Sequence, residues 1–341
     1  MHNFTAHTAR ALAGAYIPAI CELWVTRIPR LALSHPPLLH ALLAFSAQHM
    51  LVVADTGVQG ASSAELAAFR ASCLNSALRN HRESLSSNGG GEEASRGAAA
   101  SPTQHQAWNS SSRSADMVCF TSVLLMHDAL AGLFDRRLDP YEPPLQWLRM
   151  ARGVFFTGSA AMFVAMADPG SHFMTLVRAA DDLKDVYDPN AAEVDEQDWT
   201  TRLVFPELVL AKTADGETWL ETDMERADKE TTDAYHHTVG QVAAMTRALE
   251  KGADWKALGR RLTTFAVMLR PKFIELLGDR RPKALVILAH YFAVATHAAQ
   301  YWWIGNMPFR EFEALEKIIP VEWQHLLKWP REVVERNRLA G

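Results

Sequence analysis

The chain has 341 residues, 48% of them apolar and 21% charged, a globular balance with enough apolar residues for one large core, so wholesale disorder is excluded. A net charge of -5 gives no overall electrostatic reason to bind nucleic acid, which needs a basic face to displace counterions. Three scattered cysteines, Cys21, Cys73 and Cys119, form no CxxC pair, so neither a disulfide framework nor a cysteine zinc site is supported, and a reducing compartment, cytoplasmic or nuclear, is expected.

The first residues, Met1-His2-Asn3-Phe4-Thr5, lack the basic start and apolar run of a secretory signal, so the glycosylation sequons at Asn3 and Asn109 carry no weight. Leu12 to Val25 and Pro36 to Val53 are apolar at helical spacing, and the prolines from Pro29 to Pro37 predict a break between them. A helical hairpin follows. Ala61 to Leu85, with Leu66, Phe69, Cys73, Leu74, Ala77 and Leu78 three and four apart, predicts a third helix.

From Ser86 to Ser114 the sequence turns to Ser, Gly, Ala, Gln and Asn, which cannot bury enough apolar surface to offset ordering, so residues 86–114 read as a disordered insertion within one domain. Helical patterns resume over Met117 to Phe134, Pro143 to Phe156, Met162 to Met166 and Met174 to Val186, with Asp188-Pro189 as a stop and Glu193 to Asp198 as an exposed acidic turn. Thr231 to Lys251 and Trp255 to Leu277 continue the series, with Gly252 and Gly278 as stops.

Ala284 to Trp303 is almost continuously apolar. His290, His297 and Gln300 interrupt it, and polar groups are costly in a bilayer, so it reads as a buried core helix with no membrane span. With no run of alternating strands, the fold class expected is all-α, a single large helical bundle over residues 1–341.

Three separated pieces resemble the fungal-specific transcription factor regulatory domain, and most of all the sterol-sensing C-terminal region of the sterol uptake control proteins. They are Trp24-Val25-Thr26-Arg27-Ile28-Pro29-Arg30-Leu31-Ala32 with Pro36-Pro37-Leu38-Leu39-His40 to His49, then Trp147 to Gly153, then Pro282 to Tyr291 with Tyr301-Trp302-Trp303 and Trp329-Pro330. The resemblance implies an all-α bundle with a hydrophobic pocket near its C-terminal helices that takes ergosterol-like ligands. Family members that regulate genes carry six cysteines on two zinc ions, and the three cysteines here cannot supply them, so direct DNA binding by this chain is not expected.

His290, His297 and Tyr301, seven and four apart, fall on one stripe if the helix continues through them. That stripe either ties a core together or donates hydrogen bonds to an oxygen of an apolar ligand, with Tyr291, Trp302, Trp303 and Met307 as walls and Gly305 in the turn. Asp181-Asp182-Leu183-Lys184-Asp185 fits a DDxxD metal pattern, but no second metal motif accompanies it and a solvated helix face explains it. His236-His237 and His127-Asp128 point apart on a helix and lack an HExxH partner, so no metal is assigned and no cofactor is expected. The basic cluster Asp279 to Lys283 reads as a loop ahead of a helix, and serine-hydrolase, ATPase and dinucleotide motifs are missing.

Two functions fit. One is a cofactor-free cyclase of the Diels-Alderase type in secondary metabolism, in which a pocket confines a terpenoid- or polyketide-like molecule in its reactive shape. The other is a ligand-responsive, sterol-like transcriptional regulator or co-regulator lacking its own DNA-binding domain. Both expect a lipophilic small molecule as partner and no direct contact with nucleic acid, with a homodimer left open.

Overall fold

A computed structural model describes residues 1–54, 63–88, 112–168, 170–180 and 218–340, together with 183, 205, 208, 211–214 and 216. The regular structure among its described residues is helical, with no strand beyond one isolated antiparallel bridge between Lys212 and Trp219. The all-α expectation holds. The chain forms two compact units, the first made of Met1–Ala131 and Gly153–Ala180, the second of Gly132–Arg152 and Asp181–Gly341.

In the first unit, α1 (Pro18–Glu22), one wide turn over Leu23–Arg27 and α2 (Ile28–Ala32) run on as one helical rod. It starts later than the apolar pattern predicts, because Leu12 is extended and Gly14 has φ 83°. It also passes straight through Pro29. The wide turn closes its hydrogen bond from the Ile28 N–H to the Leu23 carbonyl, which places Pro29 at the start of a fresh helical segment, where a missing N–H costs nothing.

The expected break is present but confined to Leu33 to His35, ahead of α3 (Pro36–Ala54). That helix packs on α4 (Ser63–Asn88) and α5 (Ser112–Ala131). Ser86 to Asn88 and Ser112 to Ser114 thus belong to helix ends, and the rest of the expected insertion lies outside the described residues.

Within α5, Ala115 and Cys119 meet Ala161 of α6 (Leu145–Ala165), and burial pushes the Cys119 thiol up to about 12. One helix therefore spans the two stretches expected over Pro143 to Phe156 and Met162 to Met166; its residues 145–152 belong to the second unit. Next comes α7 (Phe173–Arg178), shorter than the pattern from Met174 predicts. Helices α3 and α5 are long and apolar enough to cross a membrane by length and composition, with 50% and 78% of those stretches buried inside the protein.

The second unit contains α8 (Asp223–Ala227), α9 (Lys229–Glu250), α10 (Trp255–Met268), α11 (Pro271–Gly278), α12 (Pro282–Ala295), α13 (Met307–Ile318) and α14 (Lys328–Ala340). Their starts are chemically marked. Thr222 and Glu225 form a reciprocal capping box, and the Asp228 and Asp254 carboxylates accept from the Glu230 and Ala257 N–H groups.

The expected helix over Trp255 to Leu277 is two helices, because Arg270 precedes Pro271 and takes ψ 142°, outside the helical region. The second of these helices ends at Gly278 as expected, although Arg280, at φ 54°, and not the glycine, takes the left-handed position beyond it. Helices α9, α10, α11, α13 and α14 pack around α12, in which every residue from Lys283 to Ala295 is buried. A helix apolar on all sides needs such a position.

Candidate functional site

Helix α12 ends at Ala295, and Thr296–Ala298 forms one tighter turn before an irregular stretch leading to α13. The stripe expected from the spacing of His290, His297 and Tyr301 therefore does not continue, since the rotation per residue changes beyond Ala295. The residues separate into four surroundings.

His290 lies inside the helix layer. Its Nδ1 donates to the Val286 carbonyl 2.8 Å away, and its ring stacks on Trp329 at 5.7 Å and 8° while meeting the edge of Phe205 at 4.9 Å. Burial pushes its pKa down to about 4, against a smaller opposite pull from that carbonyl, so the imidazole is neutral at pH 7. Tyr291 stacks on Phe265 at 4.4 Å and reaches the Leu262 carbonyl at 3.4 Å, and burial raises its phenol far above the ordinary range.

Tyr301 and Trp303 are brought together at 4.5 Å, with Trp255 edge-on to Tyr301 at 4.8 Å. The Tyr301 hydroxyl donates to the Lys256 carbonyl at 3.1 Å. This cluster rests on a glycine: a Cβ at Gly259 would lie 2.1 Å from the Tyr301 ring. Trp302 is half-buried in the following turn, Gly305 has φ 47° and a Cβ there would lie 2.6 Å from the Phe134 ring, and buried Met307 opens α13.

His297 is placed elsewhere, in an open groove of about 620 Å³ lined also by Gln300, Phe309, Arg310, Asn337 and Arg338. The Asn337 amide lies 2.6 Å from Thr296 Oγ1 and 3.0 Å from His297 Nδ1. Burial lowers the His297 pKa, with the Val294 carbonyl pulling the other way.

Both arginines of the groove are engaged. Arg310 donates to the Phe134 and Arg136 carbonyls, while Arg338 bonds Glu313 at 2.5 Å and covers the Phe309 ring at 5.6 Å. What remains suits an amphipathic guest: an apolar wall with polar groups at its rim. Of the eight residues singled out in sequence, His297 lines this groove. Phe309, Asn337 and Arg338 were not anticipated, although the amphipathic α13 and α14 carry that signal.

Asp181, Asp182 and Asp185 lie outside the described residues, as do Asp188-Pro189 and the acidic turn Glu193 to Asp198. No group of three or more potential metal ligands occurs among the described residues. His127 donates from Nδ1 to the Val123 carbonyl at 2.8 Å, and Asp128 pairs with Arg70 at 2.7 Å, so both have structural partners.

No family model matches the chain. It is 31% identical over 296 residues, 86% of its length, to the Zn(2)-C6 fungal-type transcription factor afumD of Aspergillus fumigatus. It is 25% identical over 333 residues, 97% of its length, to a Zn(2)-C6 fungal-type transcription factor of Gibberella zeae. The chain spans 65% and 60% of the lengths of these two relatives. Helical throughout its described regular structure and aligned to both over most of its residues, the chain is a homologue of Zn(2)-C6 fungal-type transcription factors.

Proposed function

We propose that this chain is the regulatory part of a fungal transcriptional regulator, acting in the nucleus, which receives a lipophilic small-molecule signal and passes it to a DNA-binding module on the same protein or on a partner. The observation that carries the reading is the 31% identity to a Zn(2)-C6 fungal-type transcription factor along 86% of the chain. An acidic net charge of -5 also suits a part that does not itself grip DNA.

The groove around His297 supplies the receiving element. A guest seated between Phe309 and α14 would favour one placement of that helix over another, and only such differential binding shifts a population. A sterol-, terpenoid- or polyketide-like molecule with a hydroxyl or carbonyl matches its mixture of aromatic wall and imidazole and amide rim.

The cofactor-free cyclase has less support: both relatives are transcription factors, and no observation favours turnover of a ligand over its binding. Deleting the gene and measuring both transcripts and metabolites separates the two. The regulator reading expects a defined set of transcripts to fall or rise together, restored by the intact gene. Unchanged transcripts with one uncyclised precursor accumulating would overturn it.

A further inference from the structure

The first unit holds a second groove, of about 410 Å³, lined by Glu22, Thr26, Arg27, Arg30, Leu31, Arg113 and His172. We propose that it binds the phosphate group of a small phosphomonoester. This site is separate from the groove around His297 and stands whether or not the regulator reading does.

Local structure explains why the cations converge. Arg27 and Arg30 are three residues apart where the wide turn passes into α2, a spacing that puts them on one face of the rod. Arg113, in the first turn of α5, reaches Ser34 Oγ at 3.1 Å, which holds it against the loop that follows α2. His172 is fixed by its backbone: its N–H donates to Asp116 Oδ2 at 2.6 Å, while Ser171 Oγ and the Phe173 N–H bond Asp116 Oδ1 at 2.7 and 3.1 Å.

Charge then argues for an anion. Three guanidinium groups face one carboxylate in the lining, and Arg27 already uses that carboxylate, Glu22, at 3.0 Å. Arg30 has no ion pair among the described residues, and Arg113 bonds a neutral hydroxyl. The acids of the adjoining elements are occupied too, Asp116 by the three donors above and Asp168 by Ser112 and the Gly170 N–H. His172 adds a ring whose Nδ1 is buried with no hydrogen-bond partner among the described residues.

This is an unusual surplus in a chain of net charge -5. A guanidinium matches two oxygens of a phosphate at once, and a dianion neutralises two spare cations where a carboxylate neutralises one. The hydroxyl of Thr26 supplies a further donor. The groove's volume suits a small molecule.

The test is calorimetric titration of the purified chain with phenyl phosphate, with phenol and sodium sulfate as comparison ligands at matched ionic strength. Saturable binding of phenyl phosphate, weakened about tenfold by Arg30→Ala and again by Arg113→Ala, is expected, since each removes one charge-assisted contact. Arg30→Lys restores the charge but not the fork, and recovers part of the loss. An unchanged melting temperature in Arg30→Ala shows that any loss is not unfolding, because that side chain is exposed and has no ion pair among the described residues. Binding of phenol and phenyl phosphate alike, equal affinity in the arginine variants, or binding of duplex DNA that phenyl phosphate does not displace would each overturn the proposal.

Discussion

Each unit contains an apolar helix with one neutral histidine turned back on its own backbone, and in both the Nδ1 donates to the carbonyl four residues earlier at 2.8 Å: His127 to Val123 in the first, His290 to Val286 in the second. The device is the same. What differs is the treatment of charge. In the first unit, buried Asp128 pairs with Arg70 alone among the described residues, and the carboxyl is pushed up by burial despite that partner. In the second, Glu311, 1% exposed, accepts from Arg136 Nε and Nη2 at 2.5 Å and from the Tyr141 hydroxyl at 3.1 Å.

The two grooves repeat the contrast, one with cations left over and the other with cations already bound. Helical packing alone does not distinguish a recognition surface from a scaffold; unspent hydrogen-bonding capacity does.

The sharpest way to break this comparison is to remove the arginines. Arg136→Ala leaves Glu311 buried without its countercharge and also frees the Glu142 carbonyl, and is expected to cost about 3–5 kcal/mol, whereas Arg70→Ala leaves a carboxyl that burial already holds closer to its neutral form and costs about 2 kcal/mol. Urea unfolding reads both. Equal losses would mean that the further partners of Arg136 and Glu311 add nothing and that the contrast is unfounded.

Next in size is Gly259→Ala. The new methyl would lie 2.1 Å from the Tyr301 ring and force it off Trp303, at a cost of about 2–3 kcal/mol, with a change in tryptophan fluorescence. A neutral result would show that the aromatic cluster moves freely.

The shared histidine device predicts a shared response to acid. Folding holds His127 and His290 at about 4, while in the unfolded chain they protonate near 6.5, so between these values the unfolded state binds more protons. Stability is then complete above about pH 6.5 and falls as the pH drops towards 4, by on the order of 1–3 kcal/mol for each ring. His290→Leu is expected to flatten that profile. An acid limb as steep as before would mean that His290 is not the group that titrates.

How much of this was legible in the sequence varies with the kind of information each feature needs. Helix α12 was readable because thirteen of its fourteen residues are buried, and all-round burial demands an unbroken apolar run. Its end was not, because Thr296 to Ala298 still bond backward within a tighter turn, and no Gly or Pro marks the change. Pro29 misled for the opposite reason, being a breaker that a preceding wide turn makes harmless. Of the groove in the second unit, His297 was anticipated, while Asn337 and Arg338 reach it from a helix much later in the chain. The arginine groove was invisible, since Arg30, Arg113 and His172 are brought together by packing and share no local pattern.

The smallest expected effects set the two grooves directly against each other. Asn337→Ala removes a donor to Thr296 Oγ1 whose amide also lies 3.0 Å from His297 Nδ1, in a groove where the other polar groups also hold the fold. A loss of about 1 kcal/mol follows, the ordinary worth of a partly buried hydrogen bond, and thermal unfolding measures it. Arg30→Ala is expected to change stability by less than about 0.5 kcal/mol, because an exposed guanidinium with no partner among the described residues contributes little that unfolding destroys. If Arg30→Ala proves the costlier of the two, Arg30 is a structural support, and the first unit has no cation to spare for a ligand.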